Sequence, residues 1–216
     1  MSEPAARGLV CLDYDGVLVD SAAHLLGLAR AAHAGVGSGR PPSAEDLALI
    51  DTLTFEKLAL RCGVDAADLD RYAQAMFALQ RADRHVPALF DGVAAMLAAL
   101  STRHHVAVVT ASLAANVLRV LAAHGVAEHL SLVLDGTGHG DKTIHIRDAC
   151  EHFGVAAACT WMVGDAISDV RAGNAAGVTS IAACWGYQPR ERLSAAGPGH
   201  LATTPAEITR LTGAAD

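Results

Sequence analysis

The apolar positions of this 216-residue chain change their spacing at Pro87. Between Asp20 and Arg84 they recur at helical intervals, and no segment there has the pattern of a strand. Clusters of Gly and Pro separate the helical stretches. The predicted helices run after Ser21 to about His33, from Ser43 through Ile50, over Phe55–Arg61 and, after Asp65, across Leu69, Tyr72, Met76 and Leu79.

In the rest of the chain, short apolar runs alternate with helical stretches. The predicted strands are 9–12, 105–109, 131–134, 160–163 and 179–184, and the predicted helices lie at about 89–100, 112–124, 143–153 and 168–176, with a last one starting at Thr204-Pro205. Repeated βα units with short connections imply a parallel sheet covered on both faces. The sequence therefore predicts an α/β fold with a Rossmann-like parallel sheet core, residues 1–19 and 86–216, and an inserted all-helical cap domain, residues 20–85.

Composition narrows the class of protein further. The chain is 52% apolar, only 4% aromatic and carries a formal charge of -7, which indicates a globular protein and argues against a nucleic-acid-binding surface. Its first residues lack the basic and apolar regions of a signal peptide, and no run approaches 18 apolar residues. We expect a cytoplasmic protein without membrane contact. Five scattered cysteines and eleven histidines form no spacing typical of a metal site or a disulfide framework.

The first candidate site follows the first predicted strand. The apolar run Leu9–Leu12 ends abruptly in Asp13-Tyr14-Asp15-Gly16. Ligands of open parallel sheets bind outside the carboxyl ends of the strands, so two acids at this point indicate a functional site. One acid can attack a substrate while the other transfers protons, and Gly16 lets the backbone turn tightly and approach an anion.

Three later segments also place polar residues at strand ends. Thr110-Ala111 closes the second core strand, Lys142 opens a helix, and Asp165 and Asp169 follow the strand at 160–163. Each segment alone is equally typical of ordinary helix capping. The lysine is notable because the chain contains two lysines against fourteen arginines.

Together these segments resemble the four motifs of the haloacid dehalogenase-like (HAD) superfamily, in the order that the family has them. Asp-x-Asp-Gly-Val-Leu-Val-Asp-Ser matches the first motif, although Val17 stands where many members carry Thr. The most specific match is the fourth, Gly-Asp-x-x-x-Asp, around Asp165. The resemblance extends more weakly to the cap, which is inserted as in the small helical-cap branch. That branch includes phosphoglycolate phosphatase-like and β-phosphoglucomutase-like enzymes.

The resemblance implies a Mg²⁺-dependent phosphomonoester hydrolase that works through an aspartyl-phosphate. By this analogy Asp13 is the nucleophile and Asp15 the general acid and base. Mg²⁺ would be held by Asp13, the main-chain carbonyl of Asp15 and Asp165, and Asp169 would support the metal waters or Lys142. The residues expected to bind the phosphoryl group are Gly16, Thr110, Ala111 and Lys142.

The expected partner is a small phosphorylated metabolite, and the cap turn at 52–57 is the expected source of specificity. Lys57 could meet a second charged group of the substrate, while Thr52 and Thr54 could bind its hydroxyl groups. An exposed lysine on a surface helix is an equally good explanation of Lys57. The sequence leaves the substrate and the oligomeric state open.

Other functions on the same fold make different demands on these residues. A sugar-phosphate mutase of the β-phosphoglucomutase type would also keep Asp15, but its cap-hinge histidine would fall at Leu25, with His24 one position away. Dehalogenase and phosphonate-cleaving relatives do not need Asp15. A non-catalytic phosphometabolite-binding protein on the same fold would be expected to have lost one of the two acids of the first motif.

Overall fold

A computed structural model describes residues 7–51, 54–136 and 141–214 of the protein. Its described part contains a six-stranded sheet in which every pair of neighbours is parallel. The strands are β1 (Gly8–Leu12), β2 (His104–Val109), β3 (Leu132–Leu134), β4 (Thr160–Gly164), β5 (Thr179–Ala183) and β6 (His200–Ala202). Their order is β3-β2-β1-β4-β5-β6. The predicted α/β fold with a Rossmann-like parallel sheet is confirmed.

This strand order reverses direction between β1 and β4, which are neighbours in the sheet although far apart in sequence. Leu12 lies opposite Val163 in the register, and the next residue, Asp13, donates its N–H to the Val163 carbonyl at 2.9 Å. The connections leaving the two strands diverge to opposite sides and open a crevice at their carboxyl ends. The fold therefore brings the acids that follow β1 and β4 to one place.

Four helices between β1 and β2 form a separate hydrophobic cluster. They are α1 (Ala22–His33), α2 (Ala44–Leu49), α3 (Phe55–Arg61) and α4 (Leu69–Ala82). Their cluster includes Leu25, Leu58, Tyr72 and Met76, all buried. This all-helical unit matches the predicted cap, while its exact bounds at 20–85 stay a prediction.

A buried acid ties the cap together. The Asp46 carboxylate accepts two bonds from Arg40, at 2.6 and 2.7 Å, and one from Arg61 at 3.1 Å. It also accepts the N–H of Ser43 at 2.9 Å, which forms a capping box at the start of α2. Charged donors at each oxygen compensate for burying the carboxylate, and they hold the pKa of Asp46 well below its usual range.

The remaining helices cover the two faces of the sheet. They are α5 (Val93–Arg103), α6 (Ala114–Ala123), α7 (Lys142–Phe153), α8 (Ile167–Ala176), α9 (Arg190–Ala195) and α10 (Pro205–Leu211), with 3₁₀ turns at 66–68, 127–129 and 157–159. Val10 and Leu12 pack on the α5, α6 and α10 side, whereas Leu9 and Cys11 pack against α7 and α8. Burial on both faces explains why β1 is apolar throughout.

Two elements, α9 and β6, were not predicted. The edge strand β6 has only three residues, His200–Ala202, and α9 has six, so neither is long enough to show a hydrophobic period. The helix predicted at about 89–100 begins four residues later, at Val93, after Gly92 in a left-handed conformation, and ends at Arg103. The remaining differences are shifts of one or two residues at element ends. Among the described residues, no helix combines the length and apolar character that crossing a membrane requires.

Candidate active site

Three buried carboxylates meet at the switch point of the sheet. Asp13 follows β1, Asp165 follows β4, and Asp169 lies in the first turn of α8. Their side chains converge so that one oxygen of each lies within 4.8 Å of the others. The three residues are 8, 2 and 1% exposed. Such burial of like charges is costly, so a cation must compensate for it.

Lys142 supplies one such cation. Its Nζ lies 2.6 Å from Asp13 Oδ2 and 2.6 Å from Asp169 Oδ1, and its helix α7 starts at this residue. Burial works against the ammonium charge, but the two carboxylates outweigh it and raise the pKa of Lys142. The lysine is therefore charged and fixed between the first and fourth predicted motifs.

Both oxygens of Asp169 are engaged by the protein itself. Oδ1 accepts from Lys142, and Oδ2 accepts the main-chain N–H of Ala166 at 3.1 Å. This arrangement orients the lysine and closes the start of α8. Asp169 thus contacts Lys142, one of the two groups that we expected it to support, and its role beside the metal stays a prediction.

Negative charge remains in excess after Lys142 is counted. Burial raises the pKa of Asp13 to about 7, with Lys142 opposing the shift and Asp169 adding to it. Burial and the neighbouring Asp13 raise the pKa of Asp165 as well. A second cation would relieve this repulsion, and carboxylate oxygens are the ligands that hard divalent ions such as Mg²⁺ prefer. The donor set therefore fits the expected metal.

Asp15 lies apart from these three acids and is held by hydroxyl groups. Ser21 donates to Oδ1 at 2.5 Å, and Ser112 donates to Oδ2 at 2.6 Å. Ser21 immediately precedes the cap helix α1, whereas Ser112 follows β2. The second acid of the first motif is thus positioned from two parts of the chain that are distant in sequence.

Gly16 lies in the turn after Asp15, and its main-chain N–H has a partner within the protein. We expected its N–H to approach an anion, but that group donates to the Val19 carbonyl at 3.0 Å. The residue adopts a left-handed conformation with φ of 79°, and the Asp165 carboxylate occupies the space that a Cβ would need. Glycine is required here because it lets the turn approach Asp165 closely, and the contact of Gly16 with phosphate stays a prediction.

Thr110 and Ala111 lie at the end of β2, on the wall of the same cavity as Asp13 and Lys142. Thr110 is buried, and its hydroxyl oxygen accepts the N–H of Ser112 at 3.0 Å. The hydroxyl can still donate its own hydrogen to a ligand. The structure thus brings both predicted residues to the acids.

The cavity above these residues has a volume of about 530 Å³ and is closed on one side by the cap. Leu47, Thr54 and Lys57 line it from the cap side. Thr54 also caps α3, because its hydroxyl oxygen accepts the N–H of Lys57 at 3.2 Å. Thr52, the third predicted specificity residue, lies outside the described residues.

Comparison with protein-family models matches residues 10–183 to the haloacid dehalogenase-like hydrolases. The chain belongs to this family. It is 30% identical over 206 residues to a phosphoglycolate phosphatase of Synechococcus elongatus, covering 92% of this chain and 94% of the relative. It is 31% identical over 211 residues to a plasmid-encoded phosphoglycolate phosphatase of Cupriavidus necator, covering 92% and 86% of the two chains.

Solved structures agree on the fold of this HAD-like hydrolase. A haloacid dehalogenase-like family hydrolase from Streptococcus pneumoniae superposes with a TM-score of 0.82 at 18% identity, over 95% of this chain and 98% of that one. CbbY from Rhodobacter sphaeroides, solved with xylulose-1,5-bisphosphate, gives a TM-score of 0.73 at 21% identity, over 94% and 96%. Family and relatives together make the chain a phosphatase, as predicted.

The HAD-like hydrolase also carries site residues that the sequence reading missed, in the loop after β5. Tyr187 donates its main-chain N–H to Asp165 Oδ2 at 2.7 Å, and Asp165 leaves no room for a Cβ on Gly186. Gln188 accepts the N–H of Ile167 at 3.0 Å and donates to the cap carbonyl of Ile50 at 2.5 Å. The available signal was a glycine soon after a buried strand, at the edge of the sheet where the acids also lie.

Proposed function

We propose that this phosphatase hydrolyses a small phosphate monoester with a second anionic group, phosphoglycolate being the first candidate, through an aspartyl-phosphate on Asp13. The observation that carries the proposal is the pairing of Asp13 with Lys142 at 2.6 Å on the floor of a cavity that Asp15 also lines. A carboxylate held by a fixed cation is oriented for attack on phosphorus. The names of the curated relatives support the choice of phosphoglycolate.

In the proposed reaction, Asp13 attacks phosphorus as the ester oxygen departs, and Asp15 gives that oxygen a proton. Asp15 then takes a proton from the water that releases phosphate from Asp13. Lys142 and Thr110 would hold the phosphoryl oxygens during both displacements. Mg²⁺, when bound at Asp13, Asp165 and the main-chain carbonyl of Asp15, would supply further positive charge for the same oxygens.

Charge in the cavity wall supports a substrate with a second anionic group. Lys57 from the cap and Arg171 from α8 both line the cavity. Arg171 forms an exposed pair with Asp51 at 3.3 Å, and such pairs contribute little and exchange readily. A carboxylate on the substrate could therefore be met by cations from both the cap and the core.

The geometry around His24 favours a hydrolase over a mutase. Its Nε2 lies 2.8 Å from Asp83, and its ring stacks on His85 with centroids 4.1 Å apart. Leu25, at the position of the mutase histidine, is buried in the cap cluster. Neither residue offers the free imidazole above Asp13 that the mutase alternative requires.

A phosphate-release screen with the purified full chain tests the proposal. We expect Mg²⁺-dependent release from phosphoglycolate at a higher kcat/KM than from p-nitrophenyl phosphate, and no release in excess EDTA. Asp13→Asn, nearly isosteric but not nucleophilic, should lose more than about 1000-fold in kcat while keeping the melting temperature. More than a trace of activity in this variant would rule out the covalent step, and efficient interconversion of sugar phosphates would favour the mutase.

A further inference from the structure

A row of three oxygen atoms leads from the loop after β5 to the second acid of the site. Tyr187 Oη lies 2.6 Å from Ser21 Oγ, and Ser21 Oγ lies 2.5 Å from Asp15 Oδ1. These residues are far apart in sequence, 166 positions separating Ser21 from Tyr187. Both distances are those of strong hydrogen bonds between hydroxyl and carboxylate groups.

The direction of these bonds follows from counting hydrogens. An ionised Asp15 only accepts, so Ser21 must give its single hydroxyl hydrogen to the acid. The hydrogen between Ser21 and Tyr187 must then come from the phenol. An ordinary phenol keeps its hydrogen at neutral pH, so Tyr187 can donate it to Ser21. Tyr187 is therefore the outermost donor of the row.

The same row can serve the protonated acid, because each hydroxyl hydrogen can rotate. When Asp15 carries its single proton, the serine on the protonated oxygen can accept it, and the other serine continues to donate. Hydroxyl partners thus hold the carboxyl group in one orientation in both protonation states. A fixed orientation matters for an acid that must deliver a proton and later take one back.

Tyr187 is also anchored at the metal side of the site. Its main-chain N–H donates to Asp165 Oδ2 at 2.7 Å, so its backbone contacts one acid directly while its side chain reaches another through Ser21. Replacing the ring hydroxyl leaves the contact of the backbone unchanged. The two roles can therefore be separated by experiment.

We propose that Tyr187 is a positioning residue for proton transfer: through Ser21 it fixes the orientation of Asp15 toward the leaving oxygen. This inference rests on the proposed function, since it needs Asp15 to protonate a leaving group. Loss of the phenol hydrogen leaves Ser21 without a donor and free to turn away from Asp15. The resulting loss of kcat/KM should therefore be confined to substrates whose leaving oxygen needs a proton.

The test compares Tyr187→Phe with the unaltered enzyme on phosphoglycolate and p-nitrophenyl phosphate. The ratio kcat/KM reports the steps up to the departure of the leaving group from phosphorus. The p-nitrophenolate leaving group departs with little help from an acid. General acid catalysis contributes about 100- to 10,000-fold, so we expect a loss of about 10- to 100-fold on phosphoglycolate. The loss on p-nitrophenyl phosphate should stay below about 3-fold. The Mg²⁺ concentration for half-maximal activity should not change, because the N–H that contacts Asp165 remains.

Tyr72→Phe is the matched control. Tyr72 lies in the cap cluster, fully buried, and its hydroxyl has no hydrogen-bond partner among the described residues. The same chemical change there should leave the ratio of the two kcat/KM values unaltered. Ser21→Ala should reproduce the selective loss, and adding Tyr187→Phe to it should cost no more, because both act on one row.

Equal losses on the two substrates, no loss on either, or additive effects in the double variant would overturn the inference. These results are distinct from failure of the proposed function, in which the unaltered enzyme itself would release no phosphate from either ester. A large drop in the melting temperature of Tyr187→Phe would shift the decision to Ser21→Ala, whose side chain lies outside the loop after β5.

Discussion

Replacing Lys142 by Met should separate the contribution that this residue makes to catalysis from the contribution of the metal. Methionine keeps most of the length of the side chain and removes the charge that lies 2.6 Å from each of Asp13 and Asp169. Coulomb's law with an effective dielectric constant of about 20 gives about 6 kcal/mol for each contact. The cost of burying the ammonium offsets part of this, and removing one partner of a buried pair costs about 3–5 kcal/mol.

If the loss of about 3–5 kcal/mol raises the free energy of the transition state by the same amount, kcat should decrease by about 100- to 4000-fold, since each 1.4 kcal/mol corresponds to a factor of ten. Binding of Mg²⁺ should behave differently. Lys142 and a divalent ion compensate the same carboxylates, so its removal leaves the acids more negative and should not weaken the metal. We expect the Mg²⁺ concentration that gives a half-maximal rise in melting temperature to stay equal or to fall in Lys142→Met.

The pH dependence of stability gives a second readout without metal. The pKa of Asp13 is already raised to about 7 with the lysine present, and it should rise further without it. A carboxyl group whose pKa is raised in the folded state stabilises the fold at low pH. Its contribution to the free energy of unfolding is lost as the pH rises. The melting temperature of Lys142→Met should thus fall relative to the unaltered protein more at pH 8.5 than at pH 6.

Lys57→Met is the matched control for stability, because it removes the other lysine of the chain, which is exposed in the cap. It should show no such pH-dependent difference. The reasoning would be refuted if Lys142→Met kept more than a tenth of kcat, or if it needed much more Mg²⁺ than the unaltered protein. The second result would mean that the lysine helps to organise the metal ligands.

Three further outcomes are expected. Asp165→Asn should raise the Mg²⁺ concentration for half-maximal activity by at least about 10-fold, and an unchanged requirement in a metal titration would place the ligand elsewhere. Lys57→Ala should lower kcat/KM on phosphoglycolate more than on p-nitrophenyl phosphate, whereas proportional losses would remove Lys57 from the specificity site. Burial lowers the pKa of His104, so the unfolded chain binds its proton first and the free energy of unfolding should fall below about pH 6.5, by up to about 1.4 kcal/mol per pH unit. Urea titrations at pH 7.5 and 5.5 would show a smaller difference in His104→Phe, and an equal difference would assign the acid sensitivity to other groups.

Local sequence was enough to predict the strands that form the floor of the site. The run Leu9–Leu12 is apolar at each position because α5 and α6 cover one face and α7 and α8 the other. Acids directly after such a run must lie at the carboxyl edge of the sheet, which is why Asp13 and Asp165 could be placed together. By contrast, β6 is a three-residue edge strand that begins with an exposed His200, so it carries no such pattern.

Local sequence was not enough where a role depends on a distant partner. The first motif indicated a turn at Gly16, but not that Asp165 would fill the space beside it and that Val19 would accept its N–H. Tyr187 belongs to no recognisable motif or hydrophobic period, because its role depends on a hydrogen bond to Ser21, which is distant in sequence. Such long-range contacts are set by the packing of whole elements, so a reading of one segment at a time cannot reach them.

The loop after β5 connects the acids of the core with the cap, because consecutive residues of this loop contact each of them. Tyr187 contacts Asp15 through Ser21. The next residue, Gln188, is buried and donates to the main-chain carbonyl of Ile50 in the cap. Through these two consecutive residues, one loop contacts both the core acids and the cap. Ser21 itself stands at the entrance to the cap. The orientation of Asp15 and the placement of the cap therefore share one support, the loop after β5.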